Sequence, residues 1–404
     1  MPPRARSLAL LIFFQMLPAT LVVPAIRPLF AAFHDGNESA MHAFSGVNML
    51  GAALVAPIVG ALMDRGWSSR RILMVLAVCD GLLLAAVSLP LPTTQVLILR
   101  ALEGGAHVGA ATVLMAEMAQ LGRETGRQRL MGLAGAGIIF AIALGSAVGA
   151  LLLKLDSRAP LWFGALLAFG VAAVSAKSAP QVVKRERVAL VVGQLLERRE
   201  FLVPVGAAFI ARFTVGCLIV TFALFSHRVH HLSDTHIGLL FSILTLTFAC
   251  AMYPAGRLSE RVAPARLLGG AGAVYAVALL TLAYAPRPLL ALWMFVAGLT
   301  SALLFSTILG YAAASREALQ GTAMAWVNAA GSLGMLLGPI AAGVVSTWLK
   351  DPEDVARGYR AVFTLAGMSL VIWLALSARW LHRMGREETR ALAAKPPADG
   401  RAAA

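Results

Sequence analysis

The segment Arg100-Ala-Leu-Glu103-Gly104-Gly105-Ala-His107 sets a guanidinium, a carboxylate and an imidazole three and four residues apart. On a helix, positions 100, 103, 104 and 107 share one face, so these groups form a stripe able to hold protons and pass them on. The stripe lies inside an apolar run, where a charged side chain costs roughly 2.5–3.5 kcal/mol on insertion scales. Groups placed there should face a cavity or one another. Counting from Thr94 at about 1.5 Å per residue puts Glu103 near mid-depth and His107 slightly beyond it. A plainer role is also open: an Arg100–Glu103 pair that only fixes packing, with His107 as a hydrogen-bonded core residue. Asp80, about nine residues into another apolar run, is a second candidate proton carrier. Arg212, about twelve into a third, has the depth to hold an anionic substrate group or to compensate a carboxylate, and Arg27 falls in the outer third of the first run.

The elements that carry these residues follow from composition. The chain has 404 residues, 59% hydrophobic and only 13% charged, with mean hydropathy +0.78, which excludes an ordinary soluble domain. The expected fold class is an all-α integral membrane protein, since the apolar residues fall in runs of about 20 and strand-like alternation is missing. Twelve transmembrane spans are read at 7–33, 41–63, 71–91, 94–119, 128–153, 159–177, 200–226, 235–255, 265–285, 288–313, 318–348 and 359–382. The one long polar connection divides them into an N-terminal six-helix bundle (1–180), a linker (181–199) and a C-terminal six-helix bundle (200–384). A disordered tail is expected over 385–404. Net charge is +14, but the basic residues sit in short connections, which is the positive-inside pattern and not a nucleic-acid footprint. The N-terminus and the loops on its side carry eighteen Lys and Arg against seven in the opposite loops, so both termini are expected in the cytoplasm. Cys79, Cys217 and Cys250 lie within apolar runs and read as small packing residues.

The chain repeats itself. Gly60-x-x-x-Asp64-Arg65 returns as Gly256-x-x-x-Glu260-Arg261 at an offset of 196. Glu124, Met131, Gly145 and Gly149 return as Glu317, Met324, Gly338 and Ala342 at an offset of 193. Two sets of matches at nearly one offset argue for duplicated halves with a substrate site between them at mid-membrane. These residues resemble the major facilitator superfamily over essentially the whole chain. Gly60, Asp64, Arg65, Arg70 and Arg71 look like its loop signature, with Trp67-Ser68-Ser69 as a departure. Gly60 would let two helices approach, and Asp64 would offer a carboxylate to a helix N-terminus. The resemblance implies a gate latch: Asp64 docking at the start of span 11 near Ser315 to Gln320, and Glu260 near Thr125 at the start of span 5. Span 4 is similar to the arginine motif of proton-coupled exporters. Gly145 and Gly149 are similar to an antiporter signature in which Ser146 replaces proline, while Gly338-Pro339 in span 11 keeps it.

The reading that follows is a proton-coupled secondary transporter of the drug-antiporter branch, in a bacterial inner membrane, exporting a small organic molecule by alternating access. Glu103, Asp80, Arg100 and His107 would handle the proton. Arg212, Arg27, Gln15, Asn48, Phe209, Phe213, Trp326 and Asn328 would line the substrate cavity. An importer of a small organic anion with protons is the alternative, and a non-transporting receptor or scaffold is the alternative from another class. The proton gradient is the only energy source expected, since no phosphate-cradling loop is present. His227, His230, His231 and His236 lack the carboxylate or thiol spacing of a metal site, so no metal is expected. The expected partners are a small-molecule substrate and the lipid bilayer, without nucleic acid, in a monomer. Catalysis is not expected, as no nucleophile and base converge near a water interface.

Overall fold

The computed structural model describes residues 3–33, 38–177, 199–313, 320–351 and 353–393. Twelve helical units appear there, and no strand is found among the described residues. The first, α1, is not the single rod that its hydropathy suggests. It breaks into Pro3–Met16 and Pro18–Leu21, passes through a 3-10 turn at Val23–Ala25, and resumes as Ile26–Phe33. Pro18 and Pro24 each remove a backbone donor at the interruptions, which is their physical cause. The rest are α2 (Glu38–Asp64), α3 (Ser69–Val87), α4 (Thr93–Thr125), α5 (Arg127–Leu152), α6 (Ala159–Lys177), α7 (Arg199–Arg228), α8 (Asp234–Leu258), α9 (Pro264–Leu282), α10 (Leu290–Ala313), α11 (Gln320–Trp348) and α12 (Arg357–Ala393). Eleven of these units are long and apolar enough to cross a bilayer. The twelfth, α3, spends Arg70, Arg71 and Asp80 within nineteen residues, a charge load that a plain lipid-facing span would not carry.

Short turns make successive helices antiparallel. At the α2–α3 turn Gly66 takes φ +83, the left-handed conformation that glycine adopts without penalty, and Ser68 caps α3 by accepting from the Arg71 N–H. The Trp67-Ser68-Ser69 departure thus supplies a cap in place of the usual basic run. Arg70 donates to the Ala176 carbonyl at the end of α6, fastening the turn to its own half.

Small residues decide which helices meet. The broken part of α1 lies on α5: a Cβ on Gly145 would collide with Leu17 O and Thr20 Oγ1, and one on Gly149 with Leu21 O. Thr20 Oγ1 donates to Ile142 O at 3.0 Å across the same seam. In the other half, Gly334 and Gly338 of α11 lie against the backbone of α7 at Phe209 and Phe213, and Cys217 Sγ donates to Gly338 O at 3.3 Å. Pro339, within α11, sits beside Gly216. The α1–α5 and α7–α11 seams are therefore the same packing solution used twice.

The halves join through α2 with α11 and α5 with α8. Gly60 rests on Gly321 and Ala325, Gly256 on Gln128, and Gly132 on Met252. All of these lie toward the side on which α1 begins and α12 ends, so the halves are zipped there.

The tail departs from expectation. Residues 385–393 continue α12 as helix instead of forming a disordered segment, and 394–404, like the linker from 181 to 198, lie outside the described residues. Glu388 explains the order: its Oε2 accepts from the Ala265 N–H at 2.9 Å, at the start of α9, and its Oε1 from the Tyr311 hydroxyl at 2.6 Å, at the end of α10. Leu381 and Gly385 turn inward on the same face as Glu388, at helical spacing.

Candidate functional site

Three helices of the first half bring the ionisable residues together. Asp80 comes from α3, Arg100, Glu103 and His107 from α4, and Gln15 from the end of the first segment of α1. All five are buried: Gln15 and Asp80 at 0% exposure, Glu103 at 1%, Arg100 and His107 at 4%. The approach of α2 to α4 helps seal them, since Gly104 lies on the Asn48 backbone and Gly51 on Ala101 O, contacts that any side chain would prevent.

Within the cluster, Asp80 Oδ2 lies 3.0 Å from His107 Nδ1 and accepts from Gln15 Nε2 at 2.8 Å. Gln15 Nε2 also reaches His107 O at 3.4 Å. Arg100 Nη1 meets Glu103 Oε2 at 2.5 Å, and its guanidinium stands 5.0 Å from the centroid of the Phe44 ring. One ligating atom each from Asp80, Glu103 and His107 all fall within 4.8 Å of one another. Asp80 Oδ1, His107 Nε2 and Gln15 Oε1 are sealed and have no hydrogen-bond partner among the described residues.

The arrangement groups side chains that can each bind a proton. With Asp80 accepting at Nδ1, the imidazole carries its proton on that nitrogen and leaves Nε2 able to take another. Two carboxylates and an imidazole whose nearest ligating atoms lie within 4.8 Å of one another cannot all be charged at low cost in a sealed site. The three could also coordinate a cation. Against that use, Glu103 Oε2 is occupied by a guanidinium and His107 Nδ1 by Asp80, and the fixed positive charge of Arg100 opposes a divalent ion.

Gln15, expected on the substrate cavity wall, is fully buried and tied to Asp80 and His107. Asn48 likewise is 8% exposed and packs its backbone on Gly104. The Arg27 side chain lies outside the described residues. Phe209 and Phe213 of α7 are stacked with ring centroids 6.0 Å apart, and Trp326 packs near Phe201 and Ala323. Asn328 Nδ2 donates to Thr112 Oγ1 at 2.8 Å, a bridge between α11 and α4. Thr112 carried no signal in the sequence, since threonine within an apolar helix ordinarily bonds its own backbone.

Arg212 sits at the middle of α7, half-buried, with its guanidinium 4.8 Å from the centroid of the Phe305 ring. Among the described residues no carboxylate pairs with it.

The signature loop closes one side. Asp64, 3% exposed at the end of α2, accepts from Gly321 N at 2.9 Å and from Thr322 N at 2.6 Å in the first turn of α11. Residues 314–319, which include most of the sequence-expected docking stretch, lie outside the described residues, as does the side chain of Thr125. Glu260 accepts from Arg129 N at 3.4 Å in the first turn of α5. Thr322 and Arg129 are equivalent at the repeat offset of 193, so the two acids address matching helix starts. They do so unequally, Asp64 with two short bonds and Glu260 with one long one. Replacing Asp64 with asparagine would turn an amide donor toward two backbone donors and remove charge from a helix N-terminus, an expected loss of about 1–3 kcal/mol from the closed state. Spin labels on α2 and α11 at this side should report a longer separation in Asp64→Asn, with a smaller change in Glu260→Gln. Equal changes would contradict the asymmetry.

Comparison with known proteins agrees with this architecture. The profile described as Major Facilitator Superfamily matches residues 8–202 and 205–402. The crystal structure of the human organic anion transporter MFSD10 (TETRAN) superposes with a TM-score of 0.76 at 18% identity, covering 93% of this chain and 100% of that one. The proton:xylose symporter XylE bound to 6-bromo-6-deoxy-D-glucose gives 0.71 at 16% identity, covering 93% and 96%. No curated protein matches.

Proposed function

The chain belongs to the Major Facilitator Superfamily, and on that premise we propose that it is a proton-coupled secondary transporter exporting a small organic molecule across a bacterial inner membrane. Both termini would face the cytoplasm, in keeping with the eighteen-to-seven bias of Lys and Arg. The observation that carries the proposal is the sealed Asp80–His107–Gln15 contact with Glu103 beside it. A site of this kind binds a proton in one conformation and releases it in another once the packing around it changes. The means of change lies next to it, since α1 breaks immediately after Gln15. A shift of the outer part of α1 on the Gly145–Gly149 seam would loosen Gln15 from Asp80. The latches at Asp64 and Glu260 hold the cytoplasmic side shut, so the proton and cargo would exchange with the opposite side in this conformation.

The glycine pattern of α5 supports antiport. A second reading, import of a small organic anion together with protons, is favoured by unpaired Arg212. The cargoes named for MFSD10 and XylE do not transfer at 16–18% identity. A receptor or scaffold has less support, because both latches keep backbone partners on the opposite half. The test uses purified protein in liposomes loaded with a pH-sensitive dye and exposed to a panel of small organic acids, neutral compounds and amines. Proton flux is expected with at least one cargo, in the sense opposite to cargo movement. Cargo flux indifferent to an imposed gradient between about pH 5 and 8 would reject coupling, and parallel movement would select the second reading.

A further inference from the structure

We propose that Arg212 is the cargo-binding cation between the two halves, and that the cargo class is a small organic anion, a carboxylate or sulfonate on an aromatic or apolar body. The inference deepens the transporter reading and rests on it for the word cargo, but the binding site stands on its own geometry. Among the described residues two other membrane-depth cations are paired: Arg100 has Glu103, and His107 has Asp80. Arg212 has no such acid. Across α7 to α11 it is the only Asp, Glu, Lys or Arg away from a helix end, so no carboxylate in those helices lies at its depth.

Its surroundings are aromatic. The guanidinium lies 4.8 Å from the Phe305 ring centroid, Phe305 meets Phe248 edge-on at 6.0 Å, and Phe209 lies one turn before Arg212 on α7, stacked on Phe213. The ring face offers attraction to the charge but accepts few of the five N–H donors that a guanidinium presents in a planar fork. Arg212 is only half-buried where Arg100 is 4% exposed, so its guanidinium is less enclosed than that of the paired arginine. A carboxylate or sulfonate would meet that fork with two parallel hydrogen bonds. An apolar or aromatic body on the anion would then find the neighbouring rings. An inorganic anion would satisfy the fork alone and leave the rings unused.

Three probes of nearly one shape separate the charge states: benzoate, neutral benzamide and cationic benzamidine. Binding to the purified, detergent-solubilised full chain is read by isothermal titration and by thermal shift, with no gradient and no flux required. Benzoate is expected to bind more tightly than benzamide by about 10- to 100-fold, with benzamidine weakest. Arg212→Gln should remove that preference, and Arg212→Lys should restore part of it, since lysine keeps the charge but not the fork. Phosphate should bind more weakly than benzoate. Equal or tighter binding of benzamide or benzamidine by the unaltered protein would overturn the proposal, as would benzoate affinity unchanged in a folded Arg212→Gln variant. Should that variant fail to fold, the ordering of the three probes on the unaltered chain decides. Benzoate bound through Arg212 without any transport would uphold this site and refute the transporter reading. Proton-linked flux of neutral or basic compounds with no benzoate binding would do the reverse.

Discussion

Asp80→Asn is expected to abolish pH-gradient-driven flux while leaving the protein folded and able to exchange cargo across the membrane without net proton movement. Asparagine has almost the shape of aspartate, so the seat between α1, α3 and α4 stays filled and an amide oxygen can still accept from Gln15. It cannot take up a proton, and it gives His107 Nδ1 an amide oxygen as partner where it had a carboxylate oxygen. The lost charge-assisted bond is worth about 1.5–3 kcal/mol, enough to lower the melting temperature without unfolding a protein of this size. The decisive measurement compares gradient-driven accumulation with counterflow in the same liposomes. Loss of the first with retention of the second assigns proton carriage to the Asp80–His107 pair. Loss of both would mean that Asp80 only holds α3 against α4. Retention of both would remove Asp80 from coupling and leave Glu103 as the remaining carboxylate candidate. His107→Gln should give a smaller defect, because it preserves the carboxylate and removes only its proton-sharing partner.

Much of the fold was readable because membrane folding imposes a simple code. Hydropathy and the distribution of Lys and Arg located the helices, and the recurrence of Gly60 and Asp64 at Gly256 and Glu260 exposed the duplication. The structure gives both glycines the same task, since each rests on the first turn of a helix in the opposite half. Spacing on a single helix was also informative, placing Arg100 against Glu103 as neighbours. Contacts between distant spans were not. Gln15 is one polar residue in an apolar run, and nothing in its neighbourhood says whether it turns toward a cavity or toward Asp80. Thr112 is silent for the same reason, and Asn328, read as a cavity residue, gave no sign that it would bond Thr112. The tail failed differently: 385–393 was judged by its charge, yet Arg-Glu-Glu-Thr-Arg-Ala-Leu-Ala is rich in helix formers, and what holds it is Glu388, whose partners at Ala265 and Tyr311 are far away in sequence.

Arg100→Leu is expected to be the most damaging single change to stability, by about 3–5 kcal/mol, because it strands the Glu103 carboxylate at a sealed position. The single change Glu103→Leu should cost a similar amount by stranding the guanidinium. The double variant Arg100→Leu/Glu103→Leu should recover most of the loss, since an apolar pair of similar size restores packing without any charge to desolvate. The contact of Arg100 with Phe44 is lost in both variants that lack Arg100 and so drops out of the coupling between 100 and 103. Thermal unfolding in detergent gives the four stabilities. Additive losses would show that the pair does not interact as its 2.5 Å separation requires. The same double variant then separates the two carboxylates in function. If Asp80 and His107 carry the proton, a well-packed variant lacking both Arg100 and Glu103 should still transport against a pH gradient. If Glu103 carries it, the variant should fold well and transport nothing.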